Sequence, residues 1–134
     1  MEKNIFEKIR DGEEPADIVF KNEYVTAFRD IYPDTPIHIL IIPNKTIRSL
    51  DDIEEEDGIY MSNIMLSAKK IAKEQGLNNG YRLITNCGKN GHQVVPYLHF
   101  HLVGGEGEFP LGKMITLPKT SKQKFKLKLE ENSL

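Results

Sequence analysis

The stretch of sequence that decides the fold is Tyr97-Leu98-His99-Phe100-His101-Leu102-Val103. Successive side chains of a β-strand point to opposite faces, which puts Tyr97, His99 and His101 on one face and apolar residues on the other. Two imidazoles separated by two strand positions lie about 6 to 7 Å apart, close enough to contact two parts of one ligand. The run therefore predicts a strand whose apolar face packs against helices and whose other face carries a binding or catalytic site.

Strand and helix signals on both sides of this run predict an α+β fold. Four further segments have the apolar patterns of strands, at residues 18–20, 24–28, 37–42 and 81–85. Apolar residues at three- and four-residue steps predict a short helix within the first ten residues and a long helix from about residue 52 to residue 75. Three polar residues separate the first two strands, as in an antiparallel hairpin. We expect about five antiparallel strands in one layer, with one long and one short helix.

Length and charge limit the classes of partner. The chain of 134 residues suits one domain, and its 18 basic and 20 acidic residues give a net charge of −2. That balance argues against binding duplex nucleic acid, which needs a clustered basic excess. The longest apolar run, residues 37–43, is far shorter than the roughly 20 residues that span a membrane. Because the first residues lack a secretory signal and Cys87 has no disulfide partner, we expect a cytoplasmic protein that acts on a small molecule.

Charge is distributed unevenly along the chain. Residues 113–134 contain six lysines and two glutamates, a net charge of +4, and the overall −2 then leaves −6 for residues 1–112. We therefore divide the chain into a folded domain at residues 1–112 and a basic C-terminal extension at residues 113–134. A solvated tail or edge strand and a surface for an acidic or phosphate-bearing partner are both compatible with this extension.

The loop before the histidine run allows close approach to its backbone. Gly88 and Gly91 lie between Asn86 and Gln93, so backbone N–H groups there can turn toward an anion without interference from Cβ atoms. Three interpretations of the histidine pair remain open from the residues alone. The imidazoles are hydrogen-bonded structural groups, ligands of a metal site completed by a third histidine, or nucleophilic and phosphate-binding groups beside this loop.

The chain resembles a known family at these residues and well beyond them. The matching positions outside the histidine strand are Phe28-Arg29-Asp30-Ile31, Pro33, Pro36, His38, Ile42-Pro43, Gly80-Tyr81-Arg82, Asn86, Gly88, Gln93 and Gly104-Gly105. Together they resemble the histidine triad (HIT) proteins, in particular the nucleoside phosphoramidase branch, over about residues 4–112. The resemblance implies a two-layer α+β subunit of the HIT-like fold and a homodimer whose sheets join into one, with the long helices at the interface. It implies neither a metal nor a cofactor.

The resemblance assigns the chemistry to histidine side chains. It implies hydrolysis of purine nucleoside 5′-monophosphate derivatives, such as phosphoramidates and acyl adenylates, in which His99 attacks the α-phosphorus and forms a nucleotidyl-histidine. By the same resemblance, His101 binds a phosphate oxygen, and His38 packs against the pair to orient and polarise it. A neutral imidazole is a competent nucleophile near pH 7, and fixed hydrogen-bond donors stabilise the charge on phosphoryl oxygens.

The resemblance also implies where the nucleotide binds. Asp30 accepts hydrogen bonds from the ribose hydroxyls, while Phe28 and Ile31 form part of an apolar slot around the base. Asn86 and backbone groups of the following loop complete the phosphate cradle. The loop residues assigned to nucleotide binding are Gly91, His92 and Gln93.

The chain departs from the family pattern at the first triad position, where Tyr97 replaces histidine. A phenol titrates near pH 10, so it can donate a hydrogen bond at neutral pH but cannot relay a proton as imidazole does. Val94 stands where the branch usually has a polar residue near the leaving group, and His92 replaces a usual glycine. We expect an enzyme that is slow for amine leaving groups. The residues assigned to catalysis are His99, His101, His38 and Tyr97.

Two other functions stay open beside this one. A nucleotide-binding module with little turnover would result if Tyr97 and Val94 disable protonation of the leaving group, and the sequence is also compatible with a dinucleoside polyphosphate hydrolase. A further hypothesis is that His92 supplies the missing imidazole from the loop. An exposed His92 would contradict that hypothesis.

Overall fold

A five-stranded antiparallel sheet forms the frame of the protein. The computed structural model describes residues 2–105, and within them the strands lie in the order β1-β2-β3-β5-β4. The strands are β1 (Ile18–Lys21), β2 (Val25–Arg29), β3 (Ile37–Pro43), β4 (Arg82–Thr85) and β5 (Phe100–Gly104), and the α-helices are α1 (Ile5–Arg10) and α2 (Gly58–Glu74). Each pair of neighbouring strands is antiparallel. The predicted α+β class with one long and one short helix is confirmed.

The two helices cover opposite faces of the sheet, and each face has its own apolar cluster. The cluster under α2 contains alternate residues of the central strands, among them Ile39, Ile41 and Leu102. The cluster under α1 contains the residues between them, including Leu40 and Ile42. The period of two along β3 therefore assigns each side chain to a face, and the predicted short helix packs on the face opposite to α2.

The pairing of β3 with β5 brings two histidines together. In this register His38 lies opposite Val103, and Leu40 lies opposite His101. These four residues share one face, so His38 and His101 are diagonal neighbours across the strand pair. Their face is the one under α1, because Leu40 belongs to the cluster there.

The long helix starts later than the sequence predicts. Two short 3₁₀ turns, Leu50–Asp52 and Glu55–Asp57, precede α2. In the first turn the Ser49 hydroxyl accepts the backbone N–H of Asp51 at 3.2 Å, and in the second the Asp57 carboxylate accepts the N–H of Glu54 at 2.9 Å. Such local side-chain acceptors compete with regular helix formation, so the predicted start near residue 52 is wrong.

The histidine strand is also shorter than predicted. The ladder of β5 begins at Phe100, because the backbone N–H groups before it are used elsewhere. Tyr97 donates its N–H to Val95 O at 2.7 Å, and Leu98 donates its N–H to Ile47 O at 2.7 Å. The predicted alternation nevertheless continues through this irregular segment, since Leu98 packs under α2 and Tyr97 packs under α1.

Three further observations define what the structure covers. None of the helices described between residues 2 and 105 combines the length and apolar character that crossing a membrane requires. The end of the predicted domain, residues 106–112, lies outside the described residues. The predicted basic extension at residues 113–134 lies outside them as well, so both boundaries stay predictions.

Candidate active site

Three of the four histidines gather on the face of the sheet under α1. His38, His99 and His101 are all buried, with exposed fractions of 4%, 3% and 6%. The ring of His101 lies between the other two, at a centroid distance of 5.1 Å from each. Buried imidazoles in contact need defined hydrogen-bond partners, and those partners determine which nitrogen of each ring carries the proton.

His99 is held with its Nε2 lone pair available. Its Nδ1 lies 2.7 Å from the backbone oxygen of Tyr97, and because a carbonyl only accepts, Nδ1 must carry the hydrogen. Burial lowers the pKa of His99 below its ordinary value of 6.5, while the Tyr97 carbonyl and the Asp30 charge partly oppose this shift. His99 is therefore a neutral imidazole near pH 7 with a nucleophilic Nε2.

His38 and His101 form a directional relay of hydrogen bonds. The backbone N–H of Asp34 donates to His38 Nδ1 at 3.0 Å, so a neutral His38 carries its hydrogen on Nε2. That Nε2 lies 2.9 Å from His101 Nδ1 and 3.4 Å from Asp30 Oδ2. When His101 accepts on Nδ1, its own hydrogen is on Nε2. His101 is then a donor suited to a phosphate oxygen, with the opposite tautomer to His99.

Three of these groups also have the chemistry of metal ligands. Asp30, His38 and His101 each offer one ligand atom, and within the described part of the chain these atoms lie within 4.8 Å of one another. A metal would need the Nε2 lone pair of His38, but the Asp34 N–H already occupies Nδ1, so a neutral ring carries its proton on Nε2. The local hydrogen bonding fits the relay better than it fits a metal ligand set.

The hydroxyl of Tyr97 forms its hydrogen bonds outside the group of three histidines. The side chain is fully buried, its hydroxyl donates to the backbone oxygen of Pro43, and it accepts a hydrogen bond from Arg10 Nη1 at 3.3 Å. Burial raises the pKa of Tyr97, and the contact with Arg10 opposes the rise only in part. The phenol is thus neutral, and its hydrogen is used by Pro43. Within this geometry Tyr97 contributes its backbone carbonyl to the site, and its place among the catalytic residues stays a prediction.

An apolar cavity of about 280 Å³ opens between α1 and the sheet, next to Asp30. Its lining includes the predicted base-binding residues Phe28 and Ile31. Ile31 is 80% exposed, which is unusual for a large aliphatic side chain beside a buried carboxylate. One oxygen of Asp30 accepts the N–H of Tyr32 at 2.8 Å, which fixes the carboxylate at the edge of the cavity.

The first helix is the part of the site that the sequence did not reveal. Ile5, Phe6 and Ile9 line the cavity, although their spacing indicated only a packing helix. Phe6 also packs edge-on against His99, with ring centroids 4.9 Å apart. Tyr32 lines the cavity too. Apolar spacing identifies a buried helix face but cannot tell a core from the wall of a ligand pocket.

The loop at residues 86–93 is closed on itself by short contacts. A Cβ on Gly91 would lie 2.3 Å from Cys87 O, so only glycine fits there. Gln93 accepts the N–H of Gly88 at 3.0 Å and donates from Nε2 to Arg48 O at 2.7 Å. The side chain of Gln93 therefore shapes the loop, which is compatible with the prediction that backbone groups near it face the phosphate.

The two ends of this loop differ in their relation to the histidines. Asn86 directly follows β4, whose last residue, Thr85, donates its hydroxyl to His99 O at 2.8 Å. This contact brings Asn86 close to the segment that carries His99. His92 is exposed and has a φ of 59°, a left-handed conformation in the loop. The hypothesis that His92 supplies the missing imidazole is contradicted by this exposure.

Comparison with known proteins agrees with the fold and the geometry. The family model described as the HIT domain matches residues 11–108. The purine nucleoside phosphoramidase of Escherichia coli (strain K12) is 45% identical over 115 residues, which cover 85% of this chain and 94% of that protein.

Solved structures agree as well. A HIT family hydrolase from Legionella pneumophila Philadelphia 1 has a TM-score of 0.75 and 43% identity, covering 78% of this chain and 95% of that chain. A histidine triad protein from Clostridium difficile has a TM-score of 0.75 and 41% identity, covering 82% of this chain and 98% of that chain. With its paired histidines on the predicted sheet and these matches over most of its length, the chain belongs to the HIT family.

Proposed function

We propose that this protein is a nucleotide hydrolase that cleaves purine nucleoside 5′-monophosphate derivatives through a nucleotidyl-histidine on His99. The observation that carries the proposal is the hydrogen bonding of the two imidazoles, which assigns them opposite tautomers. His99 bonds to the Tyr97 carbonyl through Nδ1 and keeps a lone pair on Nε2, whereas His101 accepts on Nδ1 and carries its hydrogen on Nε2. A nucleophile and an anion-binding donor thus lie side by side. The hydrolase and phosphoramidase relatives support this class of activity.

The cavity beside Asp30 supports binding of a nucleoside. A flat apolar base fits between α1 and the sheet, where it covers Ile31 and contacts Phe28. The Asp30 carboxylate at the cavity edge accepts hydrogen bonds from the ribose hydroxyls. The phosphate then lies at the histidines, where His101 Nε2–H donates to one oxygen and Asn86 to another.

The reaction has two displacements at phosphorus. In the first, His99 Nε2 forms a bond to the α-phosphorus, and the bond to the leaving group breaks with its electron pair going to that group. The Tyr97 carbonyl at 2.7 Å stabilises the positive charge that develops on the ring through Nδ1–H. In the second, water attacks phosphorus and loses a proton to solvent, which releases the nucleoside monophosphate and restores neutral His99.

Protonation of the leaving group is the slow step for amines. The Tyr97 hydroxyl donates to Pro43 O, and Val94 at the cavity has no proton to give. Solvent must then protonate the amine, without the general-acid assistance that contributes roughly 10²- to 10⁴-fold. Acyl adenylates, whose carboxylate leaving groups need no proton, are the favoured substrates within this class.

The proposal is tested by burst kinetics and by trapping the covalent intermediate. Wild-type protein mixed with excess acyl adenylate should show a burst of leaving group and a mass increase of one nucleotidyl group, whereas a fluorogenic adenosine phosphoramidate should be cleaved slowly and without a burst. His99→Ala should show neither, because it lacks the nucleophile. Lys73→Ala, an exposed change on α2, is the matched control and should behave as wild type. Turnover by His99→Ala at the wild-type rate would refute the mechanism.

A nucleotide-binding module is the second candidate, favoured by the same absence of an acid at Tyr97 and Val94. It predicts AMP binding by calorimetry with no burst for any leaving group. A set of substrates that includes a dinucleoside polyphosphate separates this module from the third candidate, a dinucleoside polyphosphate hydrolase. Only that hydrolase would release nucleotide from the polyphosphate.

The homodimer and the cytoplasmic location remain parts of the proposal. Three large apolar side chains on α2 are exposed, Ile59, Met65 and Leu66. The strand β4 lies at an edge of the described sheet, where a second copy can continue the ladder. These features support the dimer that the family resemblance implies. Leu66→Glu should convert a dimer to a monomer in sedimentation velocity, and a wild-type monomer at micromolar concentration would contradict the assembly.

A further inference from the structure

Arg10, the last residue of α1, makes a partly buried contact that joins this helix to Tyr97 in the segment before β5. Its Nη1 donates to the Tyr97 hydroxyl at 3.3 Å and to Thr46 Oγ1 at 2.7 Å. Its Nε and Nη2 donate to the two carboxylate oxygens of Asp11 at 2.9 and 3.0 Å. The guanidinium is therefore held in one orientation by a bidentate pair on one side and by two hydroxyls on the other.

The Tyr97 side chain is held from two directions as a result. Its hydroxyl donates to Pro43 O at the end of β3 and accepts from Arg10. Its ring packs at 6.4 Å from the ring of Phe6, with the Arg10 guanidinium 5.8 Å from the ring centroid. Both donor and acceptor functions of the phenol are thus used, which restricts rotation of this fully buried side chain.

The position of Tyr97 matters because its backbone oxygen orients the nucleophile. The peptide after Tyr97 lies outside the β5 ladder, which begins at Phe100. The N–H group of that peptide, on Leu98, donates to Ile47 O at 2.7 Å. The anchored phenol is a second restraint on the same peptide, and the carbonyl of this peptide receives the His99 Nδ1–H.

We infer that Arg10 is a positioning residue, which holds Tyr97 so that its carbonyl keeps the proton of His99 on Nδ1 and the lone pair on Nε2. This role rests on the proposed use of His99 as the nucleophile. Arg10 makes no contact with the reacting atoms and acts through Tyr97. The Arg10–Tyr97 pair thereby gives the residue at the first triad position a function that depends on its side chain as well as on its backbone.

The tautomer of His99 is the direct readout. Nitrogen chemical shifts of ¹⁵N-histidine-labelled protein distinguish a protonated Nδ1 from a protonated Nε2 and do not require any turnover. Wild type should show His99 with the proton on Nδ1. Arg10→Met should show a measurable population with the proton on Nε2, since the carbonyl partner is no longer held in place. Tyr97→Phe should show the same change while keeping the ring packing.

Kinetics supply the second readout. Arg10→Met and Tyr97→Phe should lower kcat for an acyl adenylate about tenfold, the loss expected for one charge-assisted hydrogen bond, with KM within about twofold of wild type. The double variant should lose no more than either single variant, because both act through one carbonyl. Arg10→Lys, which can still donate to the phenol, should recover part of the rate.

Lys8→Met is the matched control, since it removes an exposed positive charge from the same helix. It should leave the tautomer and kcat at wild-type values. The inference would be overturned by an Arg10→Met protein that is folded by circular dichroism and keeps the His99 tautomer of wild type. It would be overturned in the same way if the tautomer changed in Tyr97→Phe but not in Arg10→Met. If wild type shows no turnover, the proposed function fails, but the nitrogen shifts still test the link from Arg10 to His99.

Discussion

Removal of the Phe6 ring should damage both the stability of the protein and its nucleotide pocket. Phe6 is 5% exposed and packs edge-on against three rings, those of His99, Phe28 and Tyr97, at 4.9, 5.6 and 6.4 Å. Replacing a buried phenylalanine by alanine costs about 3 to 5 kcal/mol. Because Phe6 also lines an open cavity, solvent can enter the space that it leaves, and we expect the lower value, about 3 kcal/mol.

Urea denaturation followed by circular dichroism measures this loss, and thermal unfolding should show a fall in Tm of about 10 °C. AMP affinity measured by calorimetry should fall about three- to tenfold, since one aromatic wall contributes roughly 0.5 to 1.5 kcal/mol. Phe6→Leu keeps most of the volume and should cost less than about 1.5 kcal/mol while still weakening binding.

Phe20→Ala is the matched deletion on the α2 side of the sheet, where Phe20 is only partly buried. It should lower stability by less than Phe6→Ala and leave AMP affinity unchanged. The reasoning is refuted if Phe6→Ala costs less than about 1 kcal/mol or binds AMP with wild-type affinity.

Three other predictions concern the loop, the nucleophile and the ribose contact. Gly91→Ala should lower kcat/KM at least tenfold, because its Cβ would lie 2.3 Å from Cys87 O. Gly58→Ala, whose Cβ meets no atom within 4 Å, should raise the free energy of unfolding by about 0.4 to 1 kcal/mol in urea titrations. Equal kinetics for the two variants would contradict the loop geometry. The pKa of His99 is lowered on folding, so the unfolded chain binds the proton more tightly, and the stability contributed by neutral His99 is lost as pH falls below about 6.5. His99→Gln should flatten that part of the curve of urea midpoint against pH. An unchanged slope in this variant would count against the pKa shift. Asp30→Asn should weaken AMP binding about tenfold but affect 2′,3′-dideoxy-AMP little, because only the former offers ribose hydroxyls to the carboxylate; an equal loss for both ligands would place the ribose elsewhere.

The frame of the fold could be predicted from local patterns. Alternation around His99 assigned side chains to faces correctly, because the period of two is a property of any extended chain, and the apolar run that contains His38 forms a strand as predicted. The first residue of α2 was not predictable in the same way. Asp57 and Ser49 accept nearby backbone N–H groups. Whether these local hydrogen bonds or those of an α-helix form depends on the balance of only a few bonds.

The candidate site divides along similar lines. The family resemblance assigned His99 and His101 to the phosphate and Asp30 to the ribose. The cavity wall formed by Phe6 and the anchored phenol of Tyr97 did not follow from the sequence, since both depend on how α1 lies against the sheet. The exposed loop position of His92 likewise required the structure.

The sequence by itself determined the strand faces, the family and the residue types at the reacting centre. These properties are encoded within a few consecutive residues or in a series of positions along the chain. The tertiary structure decided where each proton lies. His38 and His101 are 63 residues apart, and Arg10 and Tyr97 are 87 residues apart. A hydrogen bond between such groups has a direction only once the sheet register and the helix packing bring a donor to an acceptor, and that direction makes one imidazole a nucleophile and the other a donor.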